Sequence, residues 1–137
     1  MNLEDANTAE ITDGKSANEV VIFMPEVDKW YLGGTMRCGG RETFISNIDS
    51  LASKMYYGSQ KIREWHWHWY EVNTKYWEKI EKEGMIFSGV DEAQERMEIL
   101  EIKDHPFFVG VQYHPEYTSR PFAPNPVFYA FILAASG

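Results

Sequence analysis

The sequence predicts an α/β fold, and three patterns predict it. Two short apolar runs, residues 20–24 and 107–113, are rich in β-branched and aromatic side chains and read as buried strands. Residues 64–72, Glu-Trp-His-Trp-His-Trp-Tyr-Glu-Val, alternate strictly, as a strand with two unlike faces does. Between such runs lie stretches with helical spacing, within 46–63, 74–84 and 127–135. A chain of 137 residues buries one core, so the expectation is a single domain, or a piece of one, over residues 1–137. Its sheet is expected to be mostly parallel, with flanking helices and one antiparallel hairpin.

Each element follows from local chemistry. Residues 1–19 are polar, Asp13-Gly14-Lys15-Ser16-Ala17-Asn18 reads as a loop, and only Glu10-Ile11 interrupts it. Pro25 ends the run at 20–24. Gly33-Gly34-Thr35-Met36-Arg37-Cys38-Gly39-Gly40 has the glycines of a backbone that bends through positive φ or runs close to something, but not the spacing of a phosphate-binding loop. Ile48, Leu51, Ala52 and Met55 recur as on a short helix. A strand over 64–72 shows Trp65, Trp67 and Trp69 on one face and His66, His68 and Tyr70 on the other, and Asn73 ends it. In 74–84, Tyr76, Trp77 and Ile80 share a helix side, and Gly84 closes it. Met85-Ile86-Phe87 is a strand, 90–94 a turn, and 97–102 its antiparallel return. Pro121, Pro124 and Pro126 exclude helix before an apolar terminal helix over 127–135.

Composition excludes several functions. Thirteen Lys and Arg against 21 Asp and Glu leave a net charge of −8 with no basic stripe, which argues against nucleic acid. No apolar stretch reaches bilayer length and the polar start is no signal peptide, so a soluble, cytoplasmic protein is expected. The single cysteine, Cys38, forms no intrachain disulfide and no metal-binding cysteine pair, and it reads as a buried structural residue.

The chemistry-bearing motif is Val109-Gly110-Val111-Gln112-Tyr113-His114-Pro115-Glu116. Open α/β sheets place their chemistry at the carboxyl ends of strands, where this run projects His114 and Glu116. Two apart in an extended segment, these side chains leave on the same side, so Glu116 can fix the tautomer of His114 and stabilise its imidazolium. The other ring nitrogen then exchanges a proton with a nucleophile. The bland reading of the same residues is a strand-end turn with a solvated carboxylate. A metal site using His66 and His68, with His114 or a carboxylate as third ligand, is a further alternative, since i, i+2 spacing on a strand suits zinc.

The chain resembles the C-terminal part of the class I glutamine amidotransferase domain of CTP synthases. The residues that carry the likeness are Asp5-Ala6-Asn7 with Glu10, Met24-Pro25-Glu26, Gly33-Gly34-Thr35-Met36-Arg37, Tyr70-Glu71-Val72-Asn73, Glu95-Arg96-Met97-Glu98, the run from His105 to Glu116, Ser119-Arg120-Pro121 and Ile132-Leu133-Ala134-Ala135. The resemblance implies a flavodoxin-like fold and a Cys-His-Glu triad that hydrolyses L-glutamine. The ammonia then passes to a synthetase domain that uses ATP and Mg to aminate UTP, in an enzyme that is a homo-oligomer when full length. It implies His114 and Glu116 as catalytic residues and Glu10 as the acid that meets the glutamine α-ammonium, with no metal or cofactor in this chain.

Two departures from the family pattern stand out. The family's nucleophilic cysteine sits on a Gly-rich elbow before the segment that residues 3–10 resemble, so the chain is expected to be a fragment or truncated product lacking both the nucleophile and the synthetase domain. Where the family reads Arg-His-Arg-His-Arg, this chain reads Trp-His-Trp-His-Trp, and Trp69 stands where an arginine binds the glutamine carboxylate. Indole offers one neutral donor in place of a charged fork, so substrate binding there is impaired. A catalytically dead interaction module, with the Trp stripe as partner surface or core, is therefore the other reading.

Overall fold

A computed structural model describes residues 3–24 and 37–137. The expected Gly33–Gly34 turn and the Pro25 strand stop lie outside the described residues. The strands form two sheets among the described residues. The smaller joins β1 (Ala6–Thr8), β2 (Asn18–Phe23) and, from farther along the chain, β5 (Tyr70–Val72). The larger has the order β4 (Lys61–His68), β3 (Arg37–Ile45), β6 (Met85–Val90), β7 (Met97–Ile102), β8 (Val109–Val111).

A mixed α/β architecture is therefore present, but the mostly parallel sheet is not. Every pairing in the five-stranded sheet is antiparallel, and β1 with β2 is the parallel pairing among the described residues. The connections explain this, because a parallel pair needs a long crossover whereas an antiparallel pair closes through a turn. Between β6 and β7 the turn is held by Asp91, whose side chain accepts the N–H groups of Glu95 at 2.9 Å and Arg96 at 3.0 Å while Gln94 adopts φ 58°. Arg96 then bridges to Asp91 at 3.2 Å and Glu71 at 2.9 Å, fastening the turn to β5.

The alternating run does not stay in one strand. It pairs along β3 from Arg37↔His68 to Phe44↔Lys61, breaks at Trp69, and resumes as β5 in the other sheet, where Val21 faces Val72. The C=O of Trp69 accepts the N–H of Met24 at 2.9 Å, which makes this residue the joint between the sheets. The run at 107–113 yields only the short β8, since the chain turns at Gln112 toward a helix.

The helices follow their caps. Helix α1 (Ala9–Thr12) is capped by Thr8, α2 (Leu51–Met55) by Ser50, and α5 (Pro126–Ser136) by Asn125 with Pro126 in its first turn. A 3₁₀ turn at Thr74–Tyr76 leads into α3 (Trp77–Lys82), and α4 is the single turn Pro115–Thr118. Ile48, counted with the short helix by spacing, is 63% exposed ahead of α2. Glu101 caps α2 from across the core. Its carboxylate accepts the N–H groups of Leu51 and Ala52 at 2.8 Å each and the Ser88 hydroxyl at 2.5 Å, so a helix N-terminus satisfies a buried charge.

One core cluster joins Ile45, Ala52, Met55, Ile62, Ile99 and Tyr113, with Val127 and Ala130 of α5 against it. A second joins Tyr76, Ile80, Phe87 and Met97. Gly89 sits where the β6–β7 register shifts, and a Cβ there would meet Ile99 Cγ1 at 2.5 Å. Ile99 is fully buried and has nowhere to retreat. Gly89→Ala should therefore cost roughly 1–3 kcal/mol, read as a lower urea midpoint at unchanged m-value.

Candidate active site

Strand β4 turns its histidine-bearing face inward. Ile62, Glu64 and His66 are buried, while Trp65 and Trp67 are 39% and 50% exposed on the other side. The predicted separation of indoles from imidazoles onto opposite faces is present, and the indoles are the outer set. With Tyr117 and Cys38 they line an open apolar recess of about 400 Å³. Cys38, expected to be buried, is exposed near the start of β3, opposite Trp67.

The inner face carries a cluster that the sequence did not announce. Arg37 Nη2 lies 2.6 Å from Glu98 Oε1, an ion pair rather than an aligned hydrogen bond, and Thr43 donates to Glu98 Oε2. Burial outweighs both contacts and holds the Glu98 carboxyl above its ordinary range. His66 is fully buried 3.9 Å from the same carboxylate, and neither of its ring nitrogens has a hydrogen-bond partner. Its pKa is lowered to about 3, first by burial and then by Arg37 and His68, so the ring is neutral. The available signal was the alternation itself, which aligns Glu64, His66 and His68 on one face and sets Glu98 within the alternating β7.

His114 and Glu116 are brought together as expected, by a different device. They do not share an extended segment: His114 is the N-cap of α4, Pro115 opens the helix, and Glu116 lies in its first turn. Glu116 Oε1 is 2.8 Å from His114 Nδ1. Its carboxyl is held below the ordinary range by its own backbone N–H and then by the His114 hydrogen bond. The His114 N–H donates to Trp65 O at 2.8 Å, and His114 Nε2 lies 3.2 Å from Trp67 O. Both ring nitrogens thus lie within hydrogen-bond reach of an oxygen, one of a side chain and one of the main chain. Tyr117 covers the ring with centroids 5.6 Å apart.

The other two candidates lie elsewhere. Glu10 is exposed on α1 beside β1, and Trp69 is half-buried at the joint between the sheets. Among the described residues no hydrogen bond, ion pair or ring contact joins either of them to His114 or Glu116. No group of three or more His, Cys, Asp or Glu side chains among the described residues is arranged to hold a metal ion.

Comparison with known proteins follows the same lines. The family model for the class-I glutamine amidotransferases matches residues 11–134. The CTP synthase of Neurospora crassa is 51% identical over 138 residues, covering 98% of this chain and 24% of the relative. That of Drosophila melanogaster is 49% identical over 135 residues, covering 98% and 21%. The solved glutaminase domain of Trypanosoma brucei CTPS with bound acivicin superposes with a TM-score of 0.88 at 36% identity, over 96% of this chain and 51% of that one. The chain thus spans about a quarter of the length of these curated relatives.

Neutral His66 makes the fold acid-sensitive. Its folded pKa of about 3 lies below the ordinary 6.5, so its contribution is complete above pH 6.5 and is lost as pH falls toward 3. Glu98, with its raised carboxyl, acts in the opposite sense, so the informative quantity is a difference between variants. The unfolding free energy of the parent, read from urea titrations, should fall between pH 7.5 and pH 4.5 more steeply than that of His66→Phe, by an amount on the order of a few kcal/mol.

Proposed function

The chain belongs to the class-I glutamine amidotransferase family, and from that premise we propose that it supplies the proton relay of a glutaminase site of the CTP synthase type. The observation that carries this reading is the 2.8 Å contact between His114 Nδ1 and Glu116, on a ring fixed by the main chain of β4. In this scheme a cysteine thiol gives its proton to His114 Nε2 and attacks the side-chain amide carbon of glutamine. The C–N bond breaks, ammonia leaves with the proton from His114, and water then cleaves the thioester to glutamate. Glu116 holds the ring and stabilises its charge. The weaker Trp67 contact leaves Nε2 able to exchange partners.

The thiol is assigned to the part of the amidotransferase domain that this chain does not cover, the likeness extending over 51% of the solved glutaminase chain. Cys38 is not given that role, since a residue within a strand lacks the strand-to-helix elbow that exposes a nucleophile. Glu10, exposed on α1, is proposed to meet the α-ammonium of glutamine by charge pairing. Trp69 takes the place of the carboxylate-binding arginine and leaves that end of the substrate without a charged donor. The ammonia would serve amination of UTP, with ATP and Mg in the synthetase portion of a cytoplasmic homo-oligomer, and no residue of this chain is assigned to holding them. The exposure of Trp65 and Trp67 favours a second reading, in which this face is an interaction surface of an inactive domain.

The test joins this chain to the N-terminal portion of a CTP synthase, including its nucleophile. Glutamine-dependent CTP synthesis should be crippled through a raised glutamine KM, by roughly 2–4 kcal/mol for a lost charge-assisted pair, while ammonia-dependent synthesis stays near normal. Trp69→Arg should restore glutamine use selectively and His114→Ala should abolish it. Equal rescue by Trp65→Arg, or rescue of the ammonia reaction as well, would sink the assignment of Trp69 to the substrate site.

A further inference from the structure

We infer that Glu64 is a positioning residue for the His114–Glu116 pair, acting through Thr118 and Tyr113 on the two sides of it in the chain. This rests on reading that pair as a proton relay. Glu64 is 4% exposed on the inner face of β4, and no cation pairs with it among the described residues. Its charge is met by neutral donors alone: Tyr56 Oη and Asn125 Nδ2 at 2.8 Å each on Oε1, and Thr118 Oγ1 at 2.6 Å on Oε2.

A carboxylate only accepts, so it dictates the direction of every hydrogen bond around it. The Tyr56 hydroxyl must point to Glu64, and the Tyr113 hydroxyl 3.0 Å away must therefore donate to Tyr56. Asn125 must present its amide N–H to Glu64, which leaves its oxygen to accept the Val127 N–H at 3.0 Å and cap α5. Thr118 must turn its proton to Glu64 and accept from Asn125 Nδ2 at 2.9 Å. One acceptor-only group thus imposes a single proton order on side chains from the C-cap of α2, the segment between β8 and α4, α4 itself and the N-cap of α5.

That order reaches the relay because α4 cannot hold itself. A single turn is far below the length at which a helix is stable, and His114 makes no side-chain capping bond. Its orientation is set from outside, with Thr118 tied to Glu64 at one end and buried Tyr113 at the other. The His114 N–H is bound to the carbonyl of Trp65, the residue next to Glu64. The tilt of the imidazole toward Glu116 is what these ties fix.

The test is NMR of the chain with its histidine rings labelled in nitrogen-15, the His114 signals being assigned by their loss in His114→Gln. Removal of the hydroxyl in Thr118→Val should lower the exchange protection of His114 Nδ1–H about tenfold, the scale of one hydrogen bond. Thr118→Ser should restore it. Glu64→Gln keeps the size but brings a donor, so it should give more than one set of His114 signals where the parent gives one. Thr118→Val that melts earlier yet keeps the parent's His114 shifts and protection would overturn the proposal. If Thr118→Val does not fold, Glu64→Gln decides, and a single unchanged His114 signal set in it would also overturn the proposal. No glutamine enters this measurement, so failure of the glutaminase reading leaves its outcome standing.

Discussion

Buried carboxylates met by neutral donors set the terms for everything packed against the larger sheet. Glu64 and Glu101 are 4% and 3% exposed, and the hydrogen bonds that hold them come from hydroxyls, an amide and the first turn of α2. Such a group is tolerable only when its lone pairs are filled. Each donor must therefore come from a particular element at a particular angle. Glu101 places α2 against β6 and β7, and Glu64 places α4 and α5 against β4. Between them Glu98 gathers β3 and β7 and is paired with Arg37. The apolar clusters fill the space that these polar contacts define.

This arrangement explains what was legible in the sequence. The strands and helices read from period form near where the spacing put them, because local pattern and burial agree there, whereas β1, α1, β3 and α4 gave no such signal, β3 because Gly39 and Gly40 read as a bend. Sheet direction was not readable, since strand composition is similar in parallel and antiparallel neighbours, and only the turn around Asp91 hinted at the outcome. Nor was the inward face of β4. By hydropathy the indoles belong inside, but the donors that make Glu64 welcome come from Tyr56, Thr118 and Asn125, eight to 61 positions away in the chain. His114 and Glu116 were legible because their partners are each other.

The three tryptophans of the alternating run sit in different surroundings. At Trp65 and Trp67 the side chains face solvent beside Tyr117, so either indole or guanidinium satisfies the strand, and the main-chain carbonyls that hold His114 are untouched. Trp69 sits at the joint between sheets, where the side chain leaves the solvent-facing row. A change of charge there alters the surroundings of two sheets at once.

The cover of Tyr117 over His114 also makes the site optically legible. Tyr117 lies 6.0 Å and 6.2 Å from the rings of Trp65 and Trp67 and 5.6 Å from the imidazole, centroid to centroid. Two half-exposed indoles thus share one aromatic neighbour with the histidine. A charge appearing on that ring, or a displacement of α4 by a fraction of a turn, changes the field and solvent around both emitters. A spectroscopic probe that would otherwise have to be attached is already part of this strand.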